Sequence, residues 1–233
     1  MPNHVLLNNI DHKDVRIVTA RSASYGDDVM LAITFPAEFR DLQAHYPIVF
    51  RKTPDGASFE PVVLFGFQER ENLFLGPDGW DASYVPLAIE RQPFLIGITN
   101  GEPLVHIDLA SPRVSAADGE AIFLTHGGNT EFLEHVNSTL LSIYQGVQAT
   151  PPFIAALIEH ALLESFVVDI ELNDGSQNRL AGFYTINEDK LNALGVDAVG
   201  RLHRAGYLQA LYMVLASMAN FRALIERKNA RHA

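Results

Sequence analysis

His106 and Asp108 stand two residues apart, and on an extended segment they would share one face. An imidazole and a carboxylate so placed can supply two of the three ligands of a His/Asp/His iron(II) centre, the type used by 2-oxoglutarate-dependent oxygenases. His126, His135, His160 and His203 are available as the third ligand. That arrangement belongs in a jelly roll, however, and the region after Asp108 reads as turning helical. The competing reading is a polar strand end. His126-Gly-Gly-Asn129 has the form of a glycine-rich turn that could hold an anion on free backbone amides. It lacks the lysine and the glycine spacing of a phosphate loop, and a turn leading into a helix capped by Asn129 or Thr130 accounts for it better.

The chain has no cysteine, which excludes disulfides, thiolate catalysis, iron–sulfur clusters and cysteine-bound zinc together. It has no Gly-x-Ser-x-Gly elbow either. A Ser/His/Asp triad meets only in the folded chain, so spacing neither supports nor removes one. Nothing in the pattern demands catalysis, and the expectation is a non-enzyme with no cofactor.

The more unusual residues are aromatics interleaved with proline. They occur in His45-Tyr-Pro-Ile-Val-Phe50, in Asn72-Leu-Phe74, in Trp80-Asp-Ala-Ser-Tyr84-Val-Pro86 and in Arg91-Gln-Pro-Phe94. Rigid aromatics on a proline-held extended backbone, with an arginine beside them, can form a peptide-binding groove. The candidate ligand contacts are therefore Tyr46, Phe50, Asn72, Phe74, Trp80, Tyr84, Arg91 and Phe94. Trp80, Tyr84 and Arg91 are the expected anchors, because these residue types dominate binding hot spots. The alternative is a loop-rich core in which the aromatics pack internally. On residue physics alone that alternative is the stronger.

Seventeen basic against twenty-eight acidic residues give a formal charge of −11, an unfavourable field for nucleic acid or an anionic membrane. The basic tail Arg222, Arg227, Lys228 and Arg231 reads as the dipole-compensating end of a terminal helix. No run approaches the ~18–20 uninterrupted apolar residues of a membrane span. The first residues carry Asp11, His12, Lys13 and Asp14 in place of a secretory signal's basic and apolar regions. No membrane insertion and no nucleic-acid partner are expected.

Residues that could act must be held by elements. With 233 residues, 48% of them hydrophobic and 19% charged, the chain can build a core. Strands are expected at 15–20, 29–35, 48–51, 61–66, 94–99 and 104–108, with a short helix from Pro36 to Ala44. Turns fall at Pro54-Asp-Gly56, Gly76-Pro-Asp-Gly79 and Asn100-Gly101. From Asn129 the period becomes helical through Phe132, Leu133, Val136, Leu140, Ile143 and Tyr144. Thr150-Pro151 reads as the cap of a second helix that buries Phe153, Ile154, Leu157, Ile158 and Leu162. A hairpin at 166–185 turns at Asn173-Asp-Gly175. Two short helices follow, and then a terminal helix from Tyr207 to Arg227 with Leu215 on its inner stripe. The expectation is an α+β fold in one domain over 1–233, β-rich through 125 and helix-rich from 126.

The same segments carry a resemblance over nearly the whole chain. Tyr46-Pro-Ile-Val-Phe50, Pro61-Val-Val-Leu-Phe-Gly66, Asn72-Leu-Phe74, Trp80-Asp-Ala-Ser-Tyr84-Val-Pro86 and Arg91-Gln-Pro-Phe94 resemble the SapC family, also described as the Pass1 domain. Gly128-Asn-Thr130, Thr150-Pro-Pro-Phe153, Leu180-Ala-Gly-Phe-Tyr184 and the helix bearing Ser217 agree with it. Glu90 departs from the family pattern, in which an arginine pair is commoner at this point. If that pair meets an acidic ligand, half of the contact is replaced here. The resemblance implies a bacterial cytoplasmic protein. Its relatives are encoded near JmjC/cupin-like iron(II), 2-oxoglutarate dioxygenases, flavin-dependent tryptophan halogenases and TonB-dependent receptors. The implied role is binding a peptide or protein for such modifying enzymes. Two other readings stay open: an iron-dependent oxygenase using His106 and Asp108, and a surface-layer structural protein, in keeping with the family name.

Overall fold

The computed structural model describes residues 2–99 and 101–232. Asn100 of the expected turn at 100–101 lies outside them. The fold is α+β, as the residue pattern predicts, and its strands pair antiparallel. The chain divides into two compact units that interleave in sequence. One unit takes Met1–Asp28, Leu75–Asp81 and Leu87–Gln145; the other takes Val29–Phe74, Ala82–Pro86 and Gly146–Ala233.

In the first unit, Glu102–Asp108 lies between His4–Leu6 and Phe94–Thr99 in a three-stranded sheet. Arg16–Ile17 is flanked by Val114–Ser115 and Glu120–Ala121, and Leu75–Gly76 pairs with Gly79–Trp80. The unit's core joins Ile17, Phe94, Ile107 and Ile122 to Leu133, Val136 and Leu140. The last three recur at helical spacing on one face of the helix Glu131–Glu159. Thr130 caps that helix, its hydroxyl accepting the Leu133 amide at 3.2 Å. The glycine turn at 126–129 therefore leads into a helix.

In the second unit a five-stranded sheet runs Leu163–Glu171, Gln177–Ile186, Ile48–Lys52, Phe59–Leu64, Leu31–Ile33. Ile48, Val49 and Phe50 are buried without alternation, because their strand is central and covered on both faces. The Ser217 hydroxyl accepts the Ile48 amide at 2.9 Å and donates to the Val214 carbonyl at 2.6 Å. It thus satisfies a buried donor at the start of the strand. Strand Gln177–Ile186 carries an extra residue opposite Val167, and Gly182 takes φ +88° there, the left-handed geometry of a bulge that only glycine adopts cheaply.

Three helical expectations are corrected. Thr150-Pro151 does not begin a new helix: Glu131–Glu159 runs on with Pro151 and Pro152 inside it. Both prolines are exposed, as are Val147 and Gln148, whose carbonyls lose their intrahelical donors. The lost bonds fall where water replaces them, while Phe153, Ile154 and Leu157 hold the opposite face in the core. Ile158 is half exposed and does not belong to that face. At Gly146 a Cβ would lie 2.2 Å from the Phe35 ring, so only glycine permits this approach.

The terminal helix is two helices, Tyr207–Ser217 and Asn220–His232, separated by a turn at Met218 and Ala219. Its buried stripe is Leu211, Val214, Ser217, Phe221, Leu224 and Lys228. Leu215 lies beside the stripe and is only partly buried. Among the described residues, Tyr207–Arg231 is also the one stretch long and apolar enough to cross a membrane, an 18-residue window within it having a mean hydropathy of 1.3. Counting uninterrupted apolar runs misses it, because Gln209, Ser217 and Asn220 interrupt the run without lowering the average much.

Candidate functional site

The expected contact residues separate according to burial. Tyr46, Phe50, Asn72, Phe74 and Phe94 are buried, which corrects their assignment as ligand contacts. Tyr46 packs edge-on against Phe65 and Phe74, with centroids at 5.5 and 4.7 Å. Phe50 lies beside Phe153, and Phe94 beside Phe132. The Asn72 side chain accepts the Phe74 amide at 2.9 Å, and the Arg227 guanidinium covers the Phe74 ring at 4.4 Å. These aromatics serve the core because aromatic area is what a chain of this size has to bury.

The three anchors are all half-buried. Trp80 and Arg91 belong to the first unit and Tyr84 to the second. Trp80 faces Leu75 across a two-residue hairpin. The Tyr84 hydroxyl donates to Glu38 at 3.1 Å, and its carbonyl accepts from the Tyr46 hydroxyl. Arg91 lines an open space.

Arg91 follows the one-turn helix Leu87–Glu90 and precedes a cis Gln92–Pro93 bond. It stands at the junction of two spaces. The first is an open groove of about 430 Å³, with His4, Gln92, Pro93, Leu95, Asp108 and Pro112 among its lining residues. The second is a more enclosed cavity of about 140 Å³. Arg21, Arg113, Glu90 and His135 contribute its polar wall, and Ile17, Phe132 and Val136 its apolar wall.

The electrostatics of the cavity rest on Arg113 and Asp27, residues that spacing cannot pair because 86 positions separate them. The Arg113 side chain is 1% exposed and that of Asp27 0%. Arg113 Nη2 reaches both carboxylate oxygens, at 2.7 and 2.6 Å, and Nη1 donates to the carbonyls of Val18 and Ala20. Arg113 Nε is buried with no acceptor, an arrangement that costs about 1–3 kcal/mol. Arg21 reaches Asp27 at 3.4 Å and the Ile89 carbonyl at 3.1 Å. Burial, and then the neighbouring Arg113, hold the Arg21 guanidinium below the usual arginine range, with Asp27 and Glu90 acting against them.

Arg91 donates to the Phe94 carbonyl at 2.6 Å. Among the described residues no carboxylate pairs with it, and burial lowers its pKa without an opposing charge. Glu90, the departure from the family pattern, accepts from His135 at 2.9 Å. The site therefore holds more guanidinium than carboxylate.

His106 and Asp108 lie on one strand, and each has local partners. The His106 ring covers Gly97, where a Cβ would fall 2.5 Å from it, and Nδ1 lies 3.1 Å from the Leu104 carbonyl. Asp108 accepts the amides of Asn3 at 2.7 Å and Ala110 at 3.1 Å, and its nearest imidazole is that of His4 at 3.9 Å. Among the described residues no group of three or more His, Asp or Glu side chains is placed to hold a metal ion.

No curated protein and no solved structure matches the chain. The family model for SapC matches residues 7–224, almost the full length and including Arg91 itself, and the chain belongs to the SapC family.

Proposed function

We propose that this chain is a recognition protein without chemistry of its own, which binds a peptide or protein segment along the groove beside Arg91. The observation that carries the reading is Arg91: a half-buried guanidinium, desolvated and without a carboxylate partner among the described residues, open to a groove. A cation held in that state is already prepared for an anionic group, since its desolvation precedes binding. The groove's volume is in the range that accepts a drug-sized ligand, comparable to a short stretch of peptide. Pro93 and Pro112 line it and restrict the backbone there, which lowers the entropy lost on binding. From the company implied by the family resemblance, we extend the reading to a partner. It is a peptide-modifying 2-oxoglutarate dioxygenase or tryptophan halogenase of a system linked to TonB-dependent receptors, acting in the bacterial cytoplasm.

The test is affinity capture from the native host with the wild-type chain and with Arg91→Gln, compared by mass spectrometry. A partner held by the wild type should be lost or weakened by roughly 1–4 kcal/mol in the variant, with the circular dichroism unchanged. Equal capture by both removes Arg91 from the binding surface.

A further inference from the structure

We infer that the enclosed cavity behind Arg91 is a receptor for one carboxylate group carried on a short apolar stem, an inference that extends the groove reading because Arg91 and Gln92 line both spaces. The charge balance sets the ligand's charge. Arg21, Arg91 and Arg113 meet two carboxylates, Asp27 and Glu90, so one further negative charge balances the site. A monoanion completes it, whereas a phosphate dianion overshoots. The donors set the head group. The Arg91 side chain lines the cavity and has one described polar bond, to a backbone carbonyl, while a guanidinium carries five donors. Planar guanidinium donors match a planar carboxylate. The cavity sets the stem. At about 140 Å³ it is well below a drug-sized pocket, and Ile17, Phe132 and Val136 offer an apolar wall to a few carbons. Such a carboxylate comes either from a peptide's last residue, with the preceding chain in the groove, or from a free short-chain acid.

Titration calorimetry of the full chain at constant ionic strength tests this with sodium butyrate and butyramide, which differ in charge and hardly in shape. Butyrate should bind at least about tenfold more tightly than butyramide. Arg91→Gln should lower butyrate affinity by about tenfold. Thr139→Leu, which narrows the cavity and leaves every charge in place, should abolish binding. Equal affinity for butyrate and butyramide in the wild type overturns the inference whether or not either variant folds. Tighter binding of inorganic phosphate than of butyrate overturns it too. A tripeptide ending in valine is the second arm, as free acid and as amide. Preference for the free acid over both the amide and butyrate identifies the source as a peptide terminus. Butyrate bound while neither tripeptide binds keeps the carboxylate receptor and removes the peptide groove.

Discussion

Asp27→Ala is expected to lower stability by about 3–5 kcal/mol, read as a fall in the urea midpoint with an unchanged slope. The size follows from what the substitution leaves behind. Arg113 is 1% exposed and takes both oxygens of Asp27 through one nitrogen. Without that carboxylate a charge stays in the core with neutral partners, the carbonyls of Val18 and Ala20 and the Tyr25 ring at 5.4 Å. Arg21, already depressed by burial and by Arg113, loses the larger of the two counter-charges that act against both and keeps Glu90. The effects of Asp27→Ala and Arg113→Met should therefore not add: the double variant removes charge and counter-charge together and should be less destabilised than the sum of the two. A midpoint for Asp27→Ala within about 0.5 kcal/mol of the wild type would mean that the pair holds nothing together.

Phe50→Ala is expected to cost about 3–5 kcal/mol in the same measurement. The ring is fully buried in the central strand of the second unit's sheet, between the neighbouring strands that bear Pro61 and Tyr184, and it lies 6.4 Å from the Phe153 ring. As a ligand contact on a surface it would cost little when removed. As a core residue it leaves a cavity that the sheet cannot close by sliding, since its register is fixed on both sides. An unchanged midpoint would return Phe50 to the surface and contradict the packing described for this strand.

Phe50 also shows where sequence reasoning reached its limit. The strand and its turn were legible: Asp55 accepts the Ala57 amide at 3.0 Å and Gly56 takes φ +71°, the chemistry that Pro-Asp-Gly announces. What the aromatic–proline pattern could not separate was a rigid groove from a rigid core. The signal lay in Ile48-Val-Phe50 itself, an apolar run without alternation, which marks a strand covered on both faces. The prolines at 151 and 152 misled for another reason. Their cost depends on whether the freed carbonyls meet water, and that is set by which face of the helix is turned outward.

Arg91 was legible as an anchor because its residue type and its place beside Pro93 are local facts. Its setting was not. Arg113 sits in Ser-Pro-Arg-Val and Asp27 in Gly-Asp-Asp, both of which read as polar loop, and no spacing rule joins residues 86 positions apart. Only the fold turns these isolated charges into a buried pair behind a third arginine.

The central claim, that recognition takes place at the groove beside Arg91, is tested most directly by hydrogen–deuterium exchange of the full chain with and without its captured partner. The account predicts slowed exchange at residues 91–95 and 108–111, which supply much of the groove wall. Those segments exchanging at the same rate in both states, with protection confined to the second unit, would contradict it.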